Sequence, residues 1–129
     1  MKIGTYNVSE MGTWQISGMT NDMLEHSEFG DEEKEFEFGM TDYGSISFNG
    51  FFDMTDTTGQ KLLESAFINK SKFTNALKFY IDNTSYYTVD VTNNSASAFL
   101  MQSISVGFDK SGIGTITFQA KVSGRLVLV

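Results

Sequence analysis

The chain has 129 residues, a formal charge of −7, and neither cysteine nor proline. That length suits one domain able to bury its own core, and the absence of cysteine excludes disulfides and thiolate metal sites. With nine basic residues against sixteen acids, the chain is a poor candidate for gripping nucleic acid, because that grip comes from Lys and Arg displacing counterions from phosphates.

Residues 1–12 hold no apolar run that would make a signal peptide, and read as a flexible N-terminal arm. No apolar stretch approaches membrane-spanning length, so the expectation is a soluble protein made and kept in the cytoplasm. Trp14 and Ile16 then alternate with Thr13, Gln15 and Ser17, the period of a half-buried strand. Residues from about 20 to 43 read as a long acidic loop: eight of the sixteen acids lie between Asp22 and Glu37, opposed only by Lys34. A short helical turn is expected at 21–26, and Phe36 and Phe38, alternating with Glu35 and Glu37, suggest a further strand. The charge run reads either as a solvated surface or as a face that meets a basic partner or repels a passing anion.

Ile46, Phe48 and Phe52 alternate with Ser45, Ser47, Asn49 and Asp53, another strand. The one clear helix follows. Thr57 reads as its N-cap with Gln60 reaching back in a capping box, and Asp56 sits where the helix dipole favours negative charge. Leu62, Leu63, Ala66 and Phe67 make its apolar stripe, and Lys70 and Lys72 come near its C-terminal end.

The remainder is strand. Leu77, Phe79 and Ile81 alternate with Lys78, Tyr80 and Asp82; a turn at 83–85 leads to Tyr87, Val89 and Val91. Leu100, Ile104, Val106 and Phe108 are expected on one face, with Ser103, Ser105 and Asp109 on the other. "DKSGIG", Asp109 to Gly114, is a hairpin connection rich in turn formers. The last strand is expected to be the longest. Ile116, Phe118, Ala120, Val122, Leu126 and Leu128 share one face, and Thr115, Thr117, Gln119, Lys121, Ser123 and Arg125 the other. Seven or so strands and one helix, within a single domain over 1–129, make a mainly β fold: a sandwich or small barrel whose end or face the helix covers. Without proline, no edge strand is blunted that way, which suits a subunit whose edges neighbours pair.

No motif carries chemistry. His26, the single histidine, lies in the acidic segment and reads as a surface residue. "DEEKEFE" lacks the ligand spacing of a calcium hand, and "GFDKSGIG" lacks the G-K-[ST] ending of a phosphate loop. Glu32 and Glu33 are neighbours in a charge run, and Trp14 and Phe48 read as core. The polar strand faces are mostly Ser, Thr, Gln and Asn: an ordinary wet sheet surface, or a smooth wall past which something large moves.

The stretch "YGSISFNGFFDMTDTTGQKLLESAF", Tyr43 to Phe67, followed by "LKFYID" and "YYTVDV", resembles the tail tube proteins of long-tailed bacteriophages. The preceding "GMTNDMLEHSEFGDEEKEFEFGMTDYG" resembles that family's long acidic loop, and the likeness runs from about Thr13 to Val129. It implies two packed antiparallel sheets forming a β-sandwich or barrel with one flanking α-helix, a fold shared with the type VI secretion tube. It also implies hexameric rings, stacked into a hollow conduit whose inner sheets join edge to edge. DNA passes through that conduit without specific binding. The implied partners are further copies, a tape measure protein, and tail tip and tail terminator proteins. The implied place is the virion tail, after assembly from the host cytoplasm. No enzyme activity, cofactor, metal or membrane is implied.

On that reading Glu25, Glu28, Asp31, Glu32 and Glu33 are candidates for contact between stacked rings, and Ser45, Ser47, Asn49, Ser103 and Ser105 for the channel wall. Two alternatives stand beside it. One is another component on the same fold: a tail terminator, a connector or the type VI tube. The other is a monomeric β-barrel binding module.

Overall fold

The structure, a computed structural model, describes residues 1–8, 11–26, 28, 30, 32–52, 55, 56 and 59–129. Its strands are β1 (Lys2–Ile3), β2 (Tyr6–Asn7), β3 (Met11–Ser17), β4 (Thr20–Glu25), β5 (Phe36–Asp42), β6 (Ser45–Phe51), β7 (Lys72–Phe73), β8 (Leu77–Tyr80), β9 (Tyr86–Val89), β10 (Ala98–Phe108), β11 (Gly114–Ser123) and β12 (Leu126–Leu128); the helix is α1 (Gln60–Asn69). One sheet has the order β12-β9-β8-β1-β2 and a second β3-β6-β11-β10-β7, while among the described residues β4 and β5 pair only with each other. Every pairing is antiparallel.

Alternation decides which faces meet. Ile46 and Phe48 of β6, Ile116, Phe118, Ala120 and Val122 of β11, and Phe99 of β10 are buried against Leu77, Phe79 and Val89 of the other sheet. Phe79 sits at the centre, with ring centroids 5.3 Å from Phe48, 5.6 Å from Phe99 and 5.8 Å from Trp14. Such tilted and edge contacts add to the gain from area alone. Leu63 of α1, fully buried, completes this core where the helix packs on β10.

Several expectations change. The N-terminal residues are not an arm: Lys2 and Ile3 pair with Lys78 and Leu77, and Val8 is buried in the core. The acidic segment is not a loop with a helical turn at 21–26. Its flanks are the two strands of a β4–β5 ribbon, because Met23, Phe36, Phe38 and Met40 repeat with the strand period.

Helix α1 begins later than expected. Its N-cap is Gly59, with no side-chain cap bond; Thr57 lies outside the described residues. Gln60 is buried, its Nε2 donating to Phe51 O at 2.7 Å, and its expected bond back to Thr57 likewise falls outside the described residues. Asp56 is at the helix start as expected, accepting from Gln60 N at 3.3 Å and from the Tyr6 hydroxyl at 2.6 Å. In the apolar stripe only Leu63 and Ala66 are buried, while Leu62 and Phe67 stay substantially exposed. Lys70 is the C-cap, in the left-handed conformation, and Lys72 belongs to β7.

On β10 a bulge between Met101 and Ser103 shifts the register. One extra residue inverts the facing of everything before it. Leu100, opposite Lys121, therefore lies on the face away from Ile104, which is opposite Phe118. The expected long last strand is two. Gly124, at φ +89, turns the chain so that β11 stays in one sheet and β12 joins the other beside β9. Leu126 remains buried but Leu128 is exposed, and β10 is the longest strand. Ile81 falls just past β8 and is exposed.

Candidate functional site: a polar sheet face and an acidic ribbon

The face of the β3-β6-β11-β10 sheet that turns away from the core is built by register. One row runs Gln15, Ser47, Gln119, Ser103; the next runs Thr13, Asn49, Thr117, Ser105; a third runs Ser17, Ser45, Lys121, Leu100. All five wall candidates from the sequence thus lie on one face of one sheet. Gln119 ties the face laterally, its Nε2 donating to Ser45 Oγ at 3.4 Å and its Oε1 accepting from Ser103 Oγ at 3.5 Å.

The surface these rows make is wet, hydrogen-bonding and almost free of charge. Its one basic side chain, Lys121, donates to Asp42 Oδ1 at 2.6 Å and to Gly44 O at 3.1 Å. The Lys121 ammonium, and then the Gly44 N–H, hold the Asp42 carboxyl below the usual carboxylate range. A lysine paired in this way offers a passing phosphate less than a free one does.

Both borders of this sheet are open in the described residues. Strand β3 is an edge along its length, and β10 is covered by β7 only at Phe99 and Leu100, leaving Gln102 to Phe108 as a second edge. Unpaired N–H and C=O rows of this kind are templates for pairing with another chain.

The ribbon places the acidic candidates at its far end. Glu25 closes β4, and Glu28, Glu32 and Glu33 lie exposed in the connection to β5; Asp31 lies outside the described residues. His26 is exposed beside them, its backbone N–H donating to Glu35 O at 2.6 Å. The apolar side chains of the ribbon went unremarked as a surface in the sequence, although Phe36, Phe38 and Met40 at alternate positions carried the signal. Phe38 is 75% exposed and Met40 81%. Among the described residues no cluster of His, Asp and Glu is placed to hold a metal ion, and no helix is long and apolar enough to cross a membrane.

No family model and no curated protein matches the sequence. Solved structures do match the fold. The chain is similar to a chain of the tail of an empty gene transfer agent particle, refined helically with C6 symmetry, at 14% identity and a TM-score of 0.59, covering 95% of this chain and 84% of that one. It is equally similar to a chain of the virion of a native gene transfer agent particle, at 14% identity and a TM-score of 0.59, covering 95% and 86%. The fold is therefore one found in gene transfer agent particles, and the mainly β architecture with one helix is as expected.

Proposed function

We propose that this chain is the structural subunit of a phage-like tail tube, forming rings of six that stack into a conduit for DNA. The polar face carries the reading. Four adjacent strands present side chains that are nearly all neutral and polar, on a sheet with two open edges. Edge-to-edge pairing of such sheets around a ring would close them into a continuous wall, removing the exposed edges. The neutral face, Ser45, Ser47, Asn49, Ser103 and Ser105 among its residues, lines the lumen, where DNA slides because few lysines or arginines are there to release counterions.

The fold's presence in a tail with C6 symmetry supports the count of six. Glu25, Glu28, Asp31, Glu32 and Glu33, at the end of the ribbon, meet the next ring. Self-association tests the reading: purified protein at high concentration forms rings or tubes visible by electron microscopy, with a tail tip complex added as initiator in parallel. A monomer by solution mass under both conditions points instead to the binding-module alternative.

A further inference from the structure

The sheet on the far side of the core from the polar face carries a cationic cluster on its outward side. Leu77 is buried and Ile3 packs on the core, so their strand neighbours Lys78 and Lys2 point the opposite way. Register sets these two lysines directly opposite each other on β8 and β1. Two residues on, Tyr80 lies opposite Tyr86 of β9, with ring centroids 5.0 Å apart. The Lys2 ammonium stands over the Tyr80 ring at 4.8 Å, and the Lys78 ammonium over the Tyr86 ring at 5.0 Å. Such contacts hold both charges above the sheet instead of letting them swing into water. Like charges directly opposite across a strand pair destabilise it. Among the described residues neither lysine forms an ion pair. A bound anion would relieve that repulsion.

Beside the pair lies a hollow of about 360 Å³. Lys78 and Tyr86 line one part of it, Val127 of β12 another, and Asn75, Thr88 and Thr92 supply neutral polar groups. Thr88 is buried although it stands on the outward side, opposite Val127. Its hydroxyl donates to Leu77 O at 2.9 Å, which leaves the oxygen lone pairs to accept from a ligand. Asp90 also borders the hollow, but the Asn93 amide, the Thr92 N–H and the Arg125 guanidinium engage its carboxylate.

We propose that this hollow and the lysine pair bind an acidic saccharide, a pyranose carrying a carboxylate or a phosphate. The lining supplies what each part of such a ligand needs. Amide and threonine groups meet sugar hydroxyls, Val127 and Tyr86 meet the C–H surface, and Lys78 and Lys2 meet the acid. The size is that of a small-molecule site. Nucleic acid fits less well, because it needs a run of cations along a groove, and this cluster offers one pair. The site goes beyond the tube reading and does not rest on it. In a tube it would recur on every subunit, facing away from the lumen, and weak single sites would add up on a polymeric saccharide.

Calorimetric titration of the soluble chain tests the proposal. The probes are D-glucuronate, glucose 6-phosphate, glucose and inorganic phosphate. At least one acidic sugar should bind about tenfold more tightly than glucose and than inorganic phosphate, and which one binds names the acid group. Lys78→Gln and Lys2→Gln, each with the circular dichroism of the parent, should weaken that binding severalfold, and Asn75→Ala, on the exposed rim, should weaken it too. No heat with either acidic sugar overturns the site, as does unchanged binding by both lysine variants. Glucose binding as tightly as the acidic sugars overturns the role of the lysines. Inorganic phosphate binding as tightly reduces the cluster to a bare anion site and overturns the saccharide. Tighter binding of a short single-stranded oligonucleotide, lost in the same lysine variants, overturns it in favour of nucleic acid.

Discussion

Asp90 shows how a single carboxyl organises a chain reversal. It is buried, yet the Asn93 side-chain amide, the Asn93 and Thr92 N–H groups and the Arg125 guanidinium all face it. The Asn93 amide first, then those N–H groups and the Arg125 charge, hold its carboxyl below the ordinary value of 3.8, against the opposing effect of burial. A carboxyl depressed in the folded state contributes stability that is present above its unfolded value and lost as pH falls through the folded one. Urea midpoints should therefore fall between about pH 5 and pH 2. Asp90→Asn should start lower at neutral pH but lose less on acidification; an unchanged acid dependence would remove Asp90 from this role. Asp82 and Asp109, whose carboxyls accept turn N–H groups and are likewise depressed, leave part of the dependence in place. Gly124 is the second residue on which a reversal hangs. At φ +89 a Cβ there would lie 2.5 Å from Ser97 Oγ and 2.8 Å from Ser97 Cα. Gly124→Ala should cost about 1–3 kcal/mol of stability, from strain plus the clash, read as a lower urea midpoint with an unchanged slope.

Among the elements, the ribbon differs most from the rest. Its strands pack chiefly on each other and carry exposed Phe and Met, whereas β6 and β11 bury every second side chain. The acids at its end repel one another, an energy that a cationic neighbour or added salt relieves. Deleting residues 27–34 should leave the folded core intact, because none of the described side chains in it belongs to the core cluster. Tube assembly by that variant should be slowed or lost, and its salt dependence should weaken. Assembly at the parent rate, followed by light scattering at low and high salt, would show that the ribbon's end plays no part. Helix α1 is the contrasting element: Leu63 and Ala66 hold it to the core, while Leu62, Phe67 and Ile68 stay exposed, the last two beside a groove that Ile104, Val106 and Ile116 also line.

For the whole molecule, the proposed tube raises the question of which surface would meet its lumen. Ser47 and Ser103 stand opposite Gln119 on either side of β11, in one row of the polar face. In the proposed ring of six, a lysine at either position would add a belt of charge that releases counterions from DNA. With Ser47→Lys or Ser103→Lys, tubes should still form while DNA ejection slows severalfold, more at low salt. Normal ejection by both variants would put this face on the outside of the tube, and lost assembly would place it at a packed seam.

The sequence by itself determined the class of fold and the division of each strand into faces. Period-two alternation at Ile46 and Phe48, or from Ile116 to Val122, reports burial directly, because successive side chains must point to opposite sides. For the same reason the neutral character of Ser45, Ser47, Asn49, Ser103 and Ser105 could be read before the strands were paired. Tertiary structure decided what alternation cannot encode. The bulge at Met101 and Ser103 reversed Leu100. The turn at Gly124 sent one continuous apolar pattern into two sheets. Pairing of β4 with β5 made a ribbon of what its charge alone marked as a loop. A local pattern reports which side of the backbone is apolar; which strand lies beside it, and whether that side is covered, depends on contacts between residues far apart in the chain.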